Sequence, residues 1–239
     1  MNAFLQFLLV PVALIGQATL GSSAWGESTT GLPKSLVTYE RPVFPADLKA
    51  SAITEGYASV VLLIDADGRI VDAVVLEASH SAFGESVLNA LPTWRFTSKN
   101  SDDSFVRREF LRFEFAAKGV VTSISHRDAN KAIFPLKAQE RIPIRTMAWW
   151  DMGTPPTRLS APAPKLSSTM TTGDSGKVQV SYIIDASGRV RVPFIVNATT
   201  PELGRVTLDA IKQWQFSPPM QDGVPVLVED ARSFTFGKH

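Results

Sequence analysis

Residues 64–94 are written a second time 120 positions downstream, and this duplication narrows the possible folds more than any other feature of the chain. Ile64-Asp65-Ala66-Asp67-Gly68-Arg69-Ile70 corresponds to Ile184-Asp185-Ala186-Ser187-Gly188-Arg189-Val190, and Trp94 corresponds to Trp214 with no insertion between. Ten of the thirty-one positions are identical: Ile64, Asp65, Ala66, Gly68, Arg69, Ala78, Gly84, Leu88, Ala90 and Trp94. Two copies exclude a solenoid, which needs about three or more units to bury a continuous core. In a chain of 239 residues they predict two small domains, each large enough for one modest core.

Each copy spells the same run of elements. In the first, Arg41-Pro42-Val43-Phe44-Pro45 enforces an extended lead-in. The β-rich run Ala58–Ile64 is a strand, and Asp65–Gly68 is a turn in which Gly68 takes the positive φ that a hairpin needs. Ile70–Leu76 is the return strand. Ser81–Leu91 sets Phe83, Val87, Leu88 and Leu91 on one helical face, and Pro92 stops it. Trp94–Thr97 and Phe105–Phe115 read as strands, the latter with Arg108, Phe110 and Arg112 on one face and Arg107, Leu111, Phe113 and Phe115 on the other. The second copy repeats this with the strand Val178–Ile184 and a turn at Gly188. A return strand Val190–Val196 follows, in which Pro193 demands an edge or a bulge. Next come a helix Pro201–Gln213 with Pro201 near its start, a turn at Gln221-Asp222-Gly223 and a last strand Val224–Phe236. The expected fold class is therefore α+β: two tandem small domains, each an antiparallel three-stranded sheet packed with helix. Trp94 and Trp214 are expected as core anchors, and Gly68 and Gly188 as turn formers.

Outside the copies, residues 3–20 are apolar apart from Gln6, Gln17 and Thr19, and Ser22-Ser23-Ala24 fits a signal-peptidase site. The segment is broken by Pro11 and barely reaches the length of a bilayer span. The expected division is 1–24 signal peptide, 25–40 lead-in, 41–118 first repeat, 119–158 connector and 159–239 second repeat, with a periplasmic or secreted location. Any membrane attachment would be through the signal segment, if it is uncleaved. Net charge is +1, so no global field attracts nucleic acid. The connector holds a possible extra strand at Val120–Ser125 and an apolar patch, Met147-Ala148-Trp149-Trp150.

The chain lacks the familiar sequence patterns of catalytic and metal sites. There is no cysteine, which removes disulfides, thiolate zinc sites and a cysteine nucleophile. His80, His126 and His239 lack metal-ligand spacing, and no nucleophile elbow, zinc-protease motif or phosphate loop is present. Asp65-x-Asp67-Gly68 is no calcium loop, because its glycine falls at the fourth place and no glutamate follows at the twelfth. Asp65 and Asp185 are expected to accept hydrogen bonds from their own turns. No metal, cofactor or catalytic residue is expected, and the chain reads as a non-enzyme.

Phe44-Pro45, Gly56, the strand into Ile64-Asp65-x-x-Gly68-Arg69, the helix and Trp94-Arg95-Phe96 together resemble the TonB C-terminal domain. The second copy resembles it more closely at its tail, in Trp214-Gln215-Phe216-Ser217-Pro218-Pro219, Asp222-Gly223-Val224-Pro225-Val226 and Phe234-Thr235-Phe236. The likeness covers about 41–115 and 162–236. The resemblance implies a periplasmic, energy-transducer-like module that grips a protein or peptide partner, such as an outer-membrane receptor or another envelope component. That grip is by strand addition at the edge of a last strand, here Phe105–Phe115 or Val224–Phe236. The expected contact residues are Val224, Val226, Leu227, Val228, Glu229 and Asp230. At most about 16 residues, roughly 55 Å fully stretched, join the apolar segment to the first repeat, so a transducer of the usual kind is not expected. The alternative is a structural or accessory envelope protein that self-associates, its domains packing through Met147–Met152 or forming a homodimer edge to edge.

Overall fold

The structure, a computed structural model, describes residues 29–30, 32–98, 106–117, 123–127, 146–166 and 175–237. The expected signal segment and His239 lie outside them. The first repeat opens with two short strands, β1 (Thr29–Thr30) and β2 (Leu36–Thr38), and a turn of helix, α1 (Ala46–Ala50). The hairpin β3 (Glu55–Ile64) and β4 (Ile70–Ala78) follows, then α2 (Ser81–Ala90), β5 (Arg95–Phe96), β6 (Arg107–Ala116) and β7 (Ser123–Arg127). From the connector come β8 (Thr146–Ala148) and β9 (Arg158–Ser160). The second repeat has the hairpin β10 (Gly176–Ile184) and β11 (Val190–Ala198), then α3 (Pro201–Ile211) and β12 (Gln215–Phe216). It ends with a small hairpin, β13 (Met220–Gln221) and β14 (Val224–Pro225), and the long β15 (Leu227–Phe236).

The fold is α+β, and each repeat has the expected three-stranded antiparallel core: β4-β3-β6 in the first and β11-β10-β15 in the second. Both cores are wider than expected. β7 and β1 extend the first sheet to β1-β7-β6-β3-β4, and β8 extends the second to β11-β10-β15-β8.

Local chemistry explains the hairpins. Gly68 and Gly188 have φ of +79° and +81°, and a Cβ on either would lie 2.0 Å from the carbonyl oxygen of Phe96 or Phe216. Only glycine meets both conditions. Asp65 Oδ1 accepts from the N–H of Arg69 at 2.8 Å, and Asp185 Oδ1 accepts from the N–H groups of Ser187 and Arg189 at 2.9 and 3.0 Å. In β11 the residue before Pro193 takes up the irregularity: Val192 has φ +42°, at a register shift against β10. Burial opposes charge on Asp185, but bonds from the Ser187 hydroxyl and the two N–H groups, with the Arg191 guanidinium, hold its carboxyl below the usual range. The folded state thus binds that proton less tightly than the unfolded chain. The resulting stability is complete above about pH 4 and is lost as pH falls through the depressed folded value. Asp185→Asn is expected to flatten the acid limb of the urea midpoint measured between about pH 5 and pH 2.

One face of each sheet carries its helix. His80 Nδ1 caps α2 by accepting from the Ala82 N–H, and Thr200 caps α3 by accepting from Leu203, with Pro201 in the first turn. Phe83, Val87 and Leu91 close the first core, whereas Leu88, expected inward, is 38% exposed, unlike its buried counterpart Leu208. Leu203, Val206, Leu208 and Ile211 are all buried in the second repeat. Trp94 and Trp214 each bind their lead-in: the indole N–H donates to Glu40 O at 2.8 Å in one repeat and to Pro162 O at 3.0 Å in the other.

The opposite faces of the two sheets pack against each other. Val61, Leu63, Val74 and Leu76 meet Ile183 and Val192, with Val106, Phe110 and Leu227 at the margin. Arg108 is buried there and donates to Ser181 Oγ (3.1 Å), Ser181 O (3.2 Å) and Val192 O, with Glu229 3.7 Å away. Asp72 accepts from the Arg191 guanidinium and from the Val192 N–H at 2.9 Å. Equivalent positions meet across this interface, as they would around a two-fold axis. Asp72 and Val192 are 120 positions apart and touch; Arg108 pairs with Leu63 as Glu229 pairs with Ile183, the counterpart of Leu63.

Candidate protein-interaction edge

Which strand edges can accept another chain follows from backbone direction. In an antiparallel sheet, successive residues point their N–H and C=O groups to opposite neighbours. The carbonyl of Lys177 accepts from Thr199, and the N–H of Asp185 donates to Arg189, so odd-numbered residues of β10 face β11 and even-numbered ones face β15. The register sets Val178 against Phe234, Val180 against Arg232 and Tyr182 against Asp230. Even-numbered residues of β15 are thereby committed to β10. Leu227, Glu229, Ala231, Ser233 and Thr235 direct their backbone groups outward.

This outward edge is divided. Over Leu227–Glu229 it is paired with β8, in parallel, with Leu227 opposite Thr146, Val228 opposite Met147 and Glu229 opposite Ala148. From Asp230 to Phe236 no strand lies alongside it among the described residues. The Ala231 N–H is taken by Asp230 Oδ1 at 2.9 Å. The connector leaves the edge through a turn at Trp149–Asp151. There Trp149 packs edge-on against Phe216 and lies under Arg232, while Trp150 is 76% exposed.

The side chains flanking the edge are polar and tightly bound. Asp230 is buried, accepts from the Tyr182 hydroxyl at 2.7 Å and lies 2.8 Å from Arg232 Nε. Burial raises its carboxyl pKa, with Arg232 opposing. Burial likewise raises Glu229, with Arg108 opposing, while its Oε1 accepts from Ser181 Oγ at 3.2 Å. These carboxylates are positioned by internal partners, and no group of three or more potential metal ligands occurs among the described residues.

The structure redistributes the expected contact residues. Leu227, Val228, Glu229 and Asp230 lie on β15, the first three beside β8. Val224 and Val226 are off the ladder. Asp222 and Gly223, both at positive φ, turn the chain into the tight β13–β14 hairpin, so Val224 pairs with Gln221 and the buried Val226 bonds back to Pro219. In the first repeat the expectation for Phe105–Phe115 is corrected: β6 is central, with β3 on one flank and β7 on the other over Phe110–Glu114. The extra connector strand is Ser123–Arg127, overlapping the expected Val120–Ser125, of which residues 120–122 lie outside the described ones. Met147 and Met152 are buried in the second core, so this stretch packs onto a domain of its own chain, with Trp150 left exposed. No sequence motif marks β8. The two-sided burial behind the inter-repeat contact did leave a signal, the unbroken apolar run Val60–Ile64.

The sequence profile described as Gram-negative bacterial TonB protein C-terminal matches residues 40–117 and again 168–237. The chain belongs to the TonB C-terminal family. The two matched segments are the two helix-backed sheets, and β7, β8 and β9 lie in the stretch between them. TonB C-terminal domains act in the periplasm of Gram-negative bacteria as protein-interaction units without catalysis, engaging proteins such as outer-membrane receptors. No curated protein and no solved structure matches the chain. No described helix is long and apolar enough to cross a membrane.

Proposed function

We propose that this chain is a non-enzymatic interaction module of the periplasm that takes up an extended segment of a partner protein along the outward edge of β15. The carrying observation is the run Ala231, Ser233 and Thr235, whose backbone groups face away from β10 with no strand beside them among the described residues. An open edge of this kind is a template for strand addition, in which main-chain bonds supply affinity and alternate side chains supply selectivity. The second repeat carries the site. In the first, the middle of β6 is paired on both sides, over Phe110–Glu114, and that repeat serves as a platform for the other. The partner class is an outer-membrane receptor or another envelope protein with an extended segment.

Proline distinguishes the two kinds of position on β15, because it removes one N–H. Ser233→Pro should abolish photo-crosslinking to envelope proteins and leave the urea midpoint nearly unchanged. Phe234→Pro, which removes a bond to β10 and a buried ring, should unfold the repeat. Undiminished crosslinking by folded Ser233→Pro would refute the edge as the site. The same edge could pair with a second copy, and light scattering separates that reading: a stable dimer that Ser233→Pro converts to monomer would favour self-association.

A further inference from the structure

We propose that β8 is an intramolecular stand-in for the partner strand: the partner segment runs parallel to β15, displaces β8, and sets an unbranched apolar side chain where Met147 now sits. This rests on the strand-addition reading above and adds the direction, side-chain chemistry and regulation of the same edge. Three observations carry it. The β8–β15 pairing is the one parallel ladder among the described strands. β8 lies outside both segments matched to the family. It therefore occupies an edge that the duplicated unit itself leaves open. All three of its residues are buried, with Met147 set into the second core beside Met152. A thioether side chain on three rotatable bonds fills an irregular recess without demanding one shape, so another unbranched apolar residue can take its place.

The contest between β8 and a partner has a definite geometry. β8 engages two outward-facing residues of β15, Leu227 and Glu229. A partner running from Leu227 to Thr235 would add Ser233, Thr235 and the carbonyl of Ala231, whose N–H is held by Asp230. Tethering offsets that difference, because a strand in the same chain competes at high effective concentration. The resident strand would thus screen out short or poorly matched segments and yield to one that reaches past the turn at Trp149–Asp151. Its release would also break the bond from Thr146 Oγ1 to Leu76 O (2.9 Å), a contact with the first repeat, so displacement would be felt at the interface between the repeats.

The absence of native cysteine makes a lock available. In full-length protein, Thr146→Cys with Leu227→Cys places two thiols on directly paired residues of neighbouring strands, within disulfide reach. The probe is a fluorescent peptide of residues 146–152, Thr-Met-Ala-Trp-Trp-Asp-Met, read by anisotropy. Full-length Met147→Asp, which evicts β8 by placing a charge in the core, should bind the peptide at least tenfold more tightly than the native chain. The oxidised cysteine pair should bind at least tenfold more weakly than its reduced form. A peptide with Asp in place of Met147 should not bind to any of these. Equal affinity of oxidised and reduced protein, or no binding to folded Met147→Asp, would overturn the stand-in role and leave the Ser233→Pro result to judge the edge itself. The lock keeps the test decisive if Met147→Asp fails to fold.

Discussion

Arg108→Ala is expected to destabilise the protein by about 3–5 kcal/mol, the range for breaking a buried ion pair on one side only. In a chain of this length that should lower the melting temperature by roughly 10 °C. Three acceptors lose their donor at once: Ser181 Oγ, Ser181 O and Val192 O. Glu229, half-buried, is left without its cation. Burial already holds the Arg108 guanidinium down at about 10 and pushes the Glu229 carboxyl up, so both charges sit where water would be preferred. The pair is therefore a poor source of net stability and a costly one to break by halves. The double substitution Arg108→Met with Glu229→Met should recover most of the loss, since an apolar pair of similar volume removes both buried charges. Calorimetry of the two single variants and the double variant tests this. Failure of the double to recover would mean that the donated bonds to Ser181 and Val192, and not the charge balance, hold the interface.

Trp94→Ala is expected to cost about 3–5 kcal/mol, the range for emptying a large aromatic from a core. Its ring is fully buried, meets Tyr39 edge-on at 5.8 Å and Phe113 at 5.9 Å, and its N–H holds the lead-in at Glu40. Trp214→Ala should cost a similar amount, through Tyr182, Phe234 and Pro162. The more informative result is the shape of the transition. Because the two sheets share the apolar layer around Val61, Leu63, Ile183 and Val192, damage to the first core should lower the stability of the second. Far-UV circular dichroism and tryptophan fluorescence should then move together through one transition in Trp94→Ala. Two separated transitions would mean that the layer between the sheets does not couple the repeats.

Much of the architecture was written locally. Gly68 and Gly188, with Asp65 and Asp185 three positions before them, fix two hairpins within five residues each, and such short-range chemistry is readable from sequence. The same holds for the helix with Pro201 at its start and for the irregularity before Pro193. The edge was harder to place. Val224–Phe236 reads as one strand because its apolar and β-favouring residues run on, yet Asp222-Gly223 and Pro225 spend the first of them on a separate hairpin. Helical spacing places Leu88 inward, yet it is exposed while its counterpart Leu208 is buried, a difference that the shared glycines Gly84 and Gly204 do not explain.

The amino-acid order alone determined the two copies and their shared α+β unit, because both depend on residues near one another in the chain. Tertiary structure alone decided which edges remain open. The outward bonding groups of β6 and β15 are chemically alike, and nothing local distinguishes a strand that will be covered from one that will not. Among the described residues, β7 pairs with Phe110–Glu114 of the first and β8 with Leu227–Glu229 of the second. That difference comes from where the connector is carried by the packing of one sheet face on the other, a long-range arrangement to which Arg108, Asp72 and Arg191 contribute only once both repeats are folded.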